Sequence, residues 1–160
     1  MGTYGRGEIA AMCAWMPPKI AVITAIGPVH LERFGTLEHT LQAKAEITSS
    51  AEVVVLNVDD ERLGAIAGVL AGEGKHVVTC SATDPGADVA LIDREGELQW
   101  YRRGEYVATL DPMAPGLGAA RSNVATAIGV ASALGCAAEN RARHSARRTR
   151  AAGGGSSEHQ

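Results

Sequence analysis

The chain reads as α/β: a mostly parallel sheet with flanking helices, followed by a small antiparallel meander. Three observations lead there. Short apolar runs recur without polar alternation at Ile20 to Ile26, Glu52 to Val58 and His76 to Ser81, the pattern of strands covered on both faces. Segments of helical spacing precede, separate and follow these runs. After residue 87 the pattern changes. Asp88 to Asp93, Glu97 to Arg102 and Tyr106 to Leu110 alternate in polarity, with Glu95-Gly96 and Arg103-Gly104 placed as two-residue turns between them.

In chain order, Glu8 to Trp15 has helical spacing and leads to the apolar run from Ile20, which breaks at Gly27-Pro28. Phe34-Gly35-Thr36 then opens a helix for which Thr36 is the expected N-cap, with Glu38 in its first turn. At about 100° per residue, Leu37, Leu41, Lys44 and Thr48 fall within roughly 60° of one another, so Lys44 belongs to the inward stripe. Glu61 to Ala71 is a further helix, and Val124 to Leu134 is an alanine-rich one that Gly135 should end. No internal repeat is apparent.

Ligands of parallel sheets collect at the carboxyl ends of the strands. His30 follows one such end closely, and Lys44 comes fourteen residues later on the inward face of a helix. From the residues alone, Lys44 either snorkels past apolar neighbours to water or serves a ligand, and His30 is either a hydrogen-bonded loop residue or a metal ligand. Asn57 and Asp59, with Asp60, stand at the end of the second buried strand. There they either meet nucleotide or metal, or cap the next helix.

Composition sets the outer bounds. At 160 residues and 46% hydrophobic, the chain suffices for one domain, and with aromatics at only 4% its core must come from Val, Ile, Leu and Ala. Cys13, Cys80 and Cys136 show no paired or metal spacing; an odd count fits a reducing, cytoplasmic compartment, and buried inert thiols are expected for all three. No run approaches the ~18 apolar residues of a membrane span, and no signal-peptide pattern opens the chain. Charge divides unevenly. Residues 1–140 hold 10 Lys and Arg against 17 Asp and Glu, a net of -7, whereas residues 141–160 hold five arginines against Glu158, a net of +4. That Arg/Gly/Ser-rich tail has no core-forming side chain larger than alanine and is expected to be disordered; lacking aromatic stacking residues, it is not expected to bind nucleic acid.

Five segments in order resemble the central ATPase domain of the Mur ligase family. They are Met1-Gly2 with Gly7-Glu8-Ile9, the run Ile23-Thr24-Ala25-Ile26-Gly27-Pro28-Val29-His30-Leu31-Glu32, Phe34-Gly35, Ala43-Lys44-Ala45-Glu46-Ile47, and Asn57-Val58-Asp59-Asp60-Glu61. The resemblance implies a Rossmann-like domain over residues 1–140, with ATP and Mg2+ as cofactors. It implies that His30 binds the metal and that Lys44 is carbamylated by carbon dioxide, becoming an anionic group beside it. A carbamate answers the question of an inward lysine, because it removes the positive charge and offers the oxygen ligands hard cations prefer. Gly118 to Ala127 is similar to the family's helix opening in which an asparagine contacts the ATP base, a place that Asn123 takes; Ala119 and Ala120 stand where the family has a histidine-asparagine pair. Helix capping is the other reading of Asn123.

The activity implied is amide-bond formation through an acyl phosphate on UDP-muramoyl peptides in peptidoglycan precursor synthesis, with ATP, muramoyl peptide and an amino acid or dipeptide as small-molecule partners. The family's phosphate loop, G-x-x-x-x-G-K-[ST], occurs nowhere in these 160 residues, and the composition after Gly135 departs from the family's continuation toward its C-terminal ligase domain. The expectation is a fragment, truncated or altered in frame, inactive alone. A non-catalytic nucleotide- or partner-binding module is the alternative.

Overall fold

The computed structural model describes residues 5–27, 36–111 and 120–136. Among the described residues, four helices and six strands follow the order α1 Glu8–Trp15, β1 Ile20–Ile23, α2 Leu37–Ala45, β2 Val53–Asn57, α3 Glu61–Gly72, β3 His76–Ser81, β4 Val89–Arg94, β5 Glu97–Arg102, β6 Glu105–Leu110 and α4 Arg121–Ala133, with a 3-10 turn at Glu46–Thr48. All six strands form one sheet in sequential order. β1 to β4 are parallel neighbours, and β4, β5 and β6 are antiparallel. The parallel and meander regions therefore share β4.

Burial on both faces explains the unbroken apolar runs. Within β2, Val54 and Leu56 join a cluster with Ala21, Ile23, Leu63, Ala67 and Leu70, so α2 and α3 cover this face. Val55 faces the other way, packing with Val78, Cys80, Leu91, Trp100 and Ala125 under α4. Two crossovers that step in the same direction along a sheet put their helices on the same face, which leaves the opposite face for α4.

Edge strand β1 departs from expectation twice. Its ladder with β2 ends at Ile23 opposite Leu56, rather than running to Ile26, because side chains take up the next three residues' backbone groups. Val22 is also 37% exposed, so β1 is not fully covered on both faces. The link from β3 to β4 is short for parallel strands, which usually need a dozen or more residues to return. Here only Cys80 and Ser81 pair with Val89 and Ala90, so the chain loops past the end of β3 without travelling back along it.

Local signals hold at most boundaries. Thr36 caps α2, its hydroxyl accepting from the His39 amide at 3.2 Å. Asp60 caps α3 through the Arg62 amide at 3.1 Å. Both meander turns have positive φ at both residues, 55° and 85° at Glu95-Gly96 and 49° and 83° at Arg103-Gly104, as the twist of a two-residue hairpin requires. At the end of α4, Gly135 (φ 71°) donates to the Ser132 carbonyl and Cys136 to that of Ala131, the paired bonds of a left-handed helix stop. The helix begins earlier than its apolar pattern suggests, at Arg121 with Ala120 as N-cap; Asn123 therefore lies in the first turn and is not the cap. Cys136 is exposed, contrary to the expectation of three buried thiols, because it lies past that stop. The tail from residue 141, expected to be disordered, lies outside the described residues.

α4 approaches the sheet closely at Gly129. A Cβ there would stand 2.5 Å from Cys80 Sγ and 3.2 Å from Val55 Cγ1, both side chains fully buried. Gly129→Ala should therefore cost about 1–3 kcal/mol by overpacking, despite alanine's better helix propensity. Urea unfolding checks this, and adding Cys80→Ala should recover part of the loss; strictly additive effects of the two changes would contradict the contact.

Candidate functional site at the carboxyl ends of the parallel strands

The tetrapeptide Asn57-Val58-Asp59-Asp60 ends β2 and reaches both neighbouring strands. Asn57, only 7% exposed, donates its side-chain amide to the Thr24 carbonyl at 2.9 Å and accepts from the Asp59 amide at 3.2 Å. Asp60 accepts from the Ile26 amide at 2.8 Å with the carboxylate oxygen that does not cap α3. Asp59 turns the other way, toward the end of β3. It accepts from the Ser81 hydroxyl, from the Ala82 amide at 2.8 Å and from the Thr83 hydroxyl at 2.8 Å.

Lys44, in the last turn of α2, meets the same rim from the β1 side. Its ammonium donates to the Ala25 carbonyl at 2.9 Å, and the side chain lines an open cleft of about 230 Å³ with Ile9, Val22, Thr24 and Ile47. Helix α1 closes one wall. It is held there by Glu46, whose two carboxylate oxygens accept from the Gly7 amide at 2.6 Å and the Ala10 amide at 3.1 Å, so the residue after Ala45 caps a helix far away in sequence. Lys44 is half-buried with its head on a backbone carbonyl, while the fully buried residues of α2 are Thr40 and Ala43.

Comparison with known proteins gives this rim a family. Residues 1–131 match the family model described as the Mur ligase middle domain. The chain belongs to the Mur ligase family. It is 37% identical over 90 residues to the UDP-N-acetylmuramoyl-tripeptide--D-alanyl-D-alanine ligase of Mycobacterium leprae (strain TN), covering 54% of this chain and 17% of that one. It is 35% identical over 132 residues to the UDP-N-acetylmuramoylalanine--D-glutamate ligase of Jannaschia sp. (strain CCS1), covering 76% and 28%. Among solved structures, the MurF ligase from Thermotoga maritima in complex with ADP superimposes with a TM-score of 0.62 at 26% identity, over 81% of this chain and 31% of that one. MurF from Acinetobacter baumannii matches in fold, with a TM-score of 0.66 at 24% identity over 89% and 32%. The chain thus spans less than a third of each of these relatives.

Within this Mur middle domain, the sequence-derived candidates separate. Lys44, Asn57 and Asp59 share the rim, while Asn123 is exposed on the first turn of α4. His30 lies outside the described residues. Among the described residues, no group of three His, Cys, Asp or Glu side chains is arranged to hold a metal ion, and no helix is long and apolar enough to cross a membrane. Sequence reasoning missed the link from Glu46 to α1, and for Asp60 it offered a nucleotide or metal contact or the helix cap, of which the cap is observed, but not the bond to Ile26. The available signal was an acidic residue directly after a buried element, but spacing along the chain does not say which distant amide it meets.

Electrostatics at the β3 side are those of a closed structural region. Burial pushes the Cys80 thiol up to about 12, helped by the negative charges of Asp88 and Asp59, so the thiolate is suppressed and the residue is inert. Asp88 pins the β3–β4 loop: one carboxylate oxygen accepts from the Thr79 amide and hydroxyl at 2.9 and 3.0 Å, and the other from Arg103 at 2.7 Å. Burial raises its pKa, but the Thr79 amide, the Arg103 guanidinium and the Thr79 hydroxyl together outweigh burial and hold it below its ordinary 3.8. A depressed native value means that the stabilisation is fully present above that ordinary value and is lost as pH falls through the native one. Asp88→Asn should therefore lower stability near neutral pH by about 1 kcal/mol, a figure reduced for solvent screening. The gap to wild type should close as urea titrations are taken progressively below pH 3.8; a gap unchanged with pH would count against this assignment.

Proposed function

We propose that this chain is the nucleotide-handling middle part of an ATP-dependent amide-bond-forming ligase, acting in the cytoplasm on a UDP-muramoyl peptide during peptidoglycan precursor synthesis. The observation that carries the reading is Lys44: a lysine of a Mur middle domain whose amine meets the backbone at the carboxyl end of a parallel strand, facing a cleft. The two relatives with D-alanyl-D-alanine and D-glutamate in their names support the reaction class and leave the amine substrate open between them. The ADP held by the Thermotoga relative supports ATP as cofactor.

In this reading the γ-phosphate of ATP passes to the peptide's terminal carboxylate, the incoming amine attacks the acyl phosphate, and phosphate leaves. Lys44 takes up carbon dioxide: the ammonium first releases one proton to water, the nitrogen of the neutral amine then bonds to the carbon and loses a second proton, and an anionic carboxylate replaces the ammonium. One N–H remains to donate to Ala25. As an ammonium, Lys44 would repel a cation, whereas the carbamate offers two oxygens at a cleft with room for them, so the residue fits a magnesium site only in its modified form. His30 would be the second holder. Bound Mg2+ would offset charge gathered between phosphates and carboxylate. Asn123 is proposed for contact with the nucleotide base. The side-chain hydrogen bonds of Asn57 and Asp59 favour their holding the rim's backbone beneath the cofactor.

Two measurements test this. In the ligase containing this domain, Lys44→Ala should reduce activity by roughly 10–100-fold or more, the scale for losing a group that orders a metal site. Acetate should restore part of it. Lys44→Arg should not substitute, because a guanidinium keeps its charge and cannot take up carbon dioxide. In the present chain, labelled bicarbonate with Mg2+ should give a carbamate carbon signal that Lys44→Arg lacks. Full activity in the arginine variant would return Lys44 to a purely structural bond with Ala25.

A further inference from the structure

We infer that Asn57 and Asp60 are positioning residues for Lys44, acting through the three-residue backbone segment Thr24-Ala25-Ile26. The inference rests on the reading of Lys44 as the functional amine of the site. Where the β1 ladder stops, Thr24 and Ala25 carbonyls and the Ile26 amide are left without strand partners, and three side chains from three elements take them in turn. Asn57, the last residue of β2, holds Thr24 at 2.9 Å; Lys44 of α2 holds Ala25 at 2.9 Å; Asp60, the cap of α3, holds Ile26 at 2.8 Å. Lys44 is the middle contact, with an anchor on either side.

Neither anchor is free to swing. The Asn57 oxygen accepts from Asp59, which fixes the orientation of its amide, and the residue is buried. The second oxygen of Asp60 accepts from Arg62 in the first turn of α3, which fixes the carboxylate plane. With Thr24 and Ile26 both tethered, the peptide units between them have little rotational freedom, and the Ala25 carbonyl keeps one direction. That direction sets where the Lys44 nitrogen sits. After carbamylation the remaining N–H can stay on Ala25, and the new carboxylate must then point away from the strand end. The anchors touch neither the carbon dioxide nor the reacting atoms; they act by aiming the amine.

A structural role for the two residues and a positioning role differ in selectivity, and Lys75 supplies the internal control. Its amine donates to the Ser49 and Ala51 carbonyls at 2.9 and 3.0 Å, just before β2 and away from the rim, so it reports loosening of the whole domain. The experiment is trace acylation of the chain with acetic anhydride, read lysine by lysine by mass spectrometry. Asn57→Ala and Asp60→Ala should raise the Lys44 rate roughly fivefold, the scale of one net hydrogen bond, while leaving Lys75 unchanged. Asp60→Asn, which retains one acceptor oxygen, should give a smaller rise than Asp60→Ala. A Lys44 rate unchanged in both alanine variants, or one rising in step with Lys75, would overturn the inference. The labelled-bicarbonate signal of the wild type tests the carbamate separately: its absence would remove the chemistry assigned to Lys44, while the acylation ratios still decide whether Asn57 and Asp60 hold it.

Discussion

A parallel strand that ends inside a sheet leaves backbone donors and acceptors that cannot be abandoned without a cost of about 1–3 kcal/mol each. At the carboxyl rim of this domain, three residues of one tetrapeptide meet that demand. Asn57 and Asp60 satisfy the end of β1, and Asp59 satisfies the end of β3, so three parallel strands are tied together from the end of the middle one. The arrangement makes the rim rigid where a ligand site needs rigidity. It also explains how the Asn57 amide can be buried and the Asp60 carboxylate half-buried there, since each has backbone partners.

The sheet beneath is constrained by burial on both faces. Leu56, Val54 and Val55 are fully buried, and α4 lies so close that only glycine fits at position 129. A layer packed this tightly transmits displacement rather than absorbing it. Lys44 is the exception on an otherwise covered side: its helix is anchored by the Thr36 cap at one end and by the Glu46 link to α1 at the other, which leaves the lysine head at the cleft between α1 and β1.

Membership in the Mur ligase family and the geometry of the rim support each other without being the same argument. The family assignment comes from residues 1–131 as a whole. The rim would be singled out without it, because an amine directed to a strand end beside an open cleft is not what core packing produces. Together they are the grounds on which phosphoryl transfer is proposed for this domain.

The sequence by itself determined the elements. Apolar runs with no polar alternation marked β2 and β3, helical spacing marked α2 and α3, and the glycine turns at 95–96 and 103–104 marked the meander, because each is a local pattern enforced by backbone sterics and burial period. It also placed Lys44 on an inward stripe, since a helix face is a matter of spacing. Tertiary structure alone decided where these faces meet. That β4 joins the parallel strands and the meander into one sheet, that β1 stops at Ile23, that Glu46 caps a helix 36 to 39 residues away and that Asp60 reaches Ile26 all depend on pairs distant in sequence. Hydrogen-bonding capacity is written in each residue; its partner is chosen only when the chain has closed.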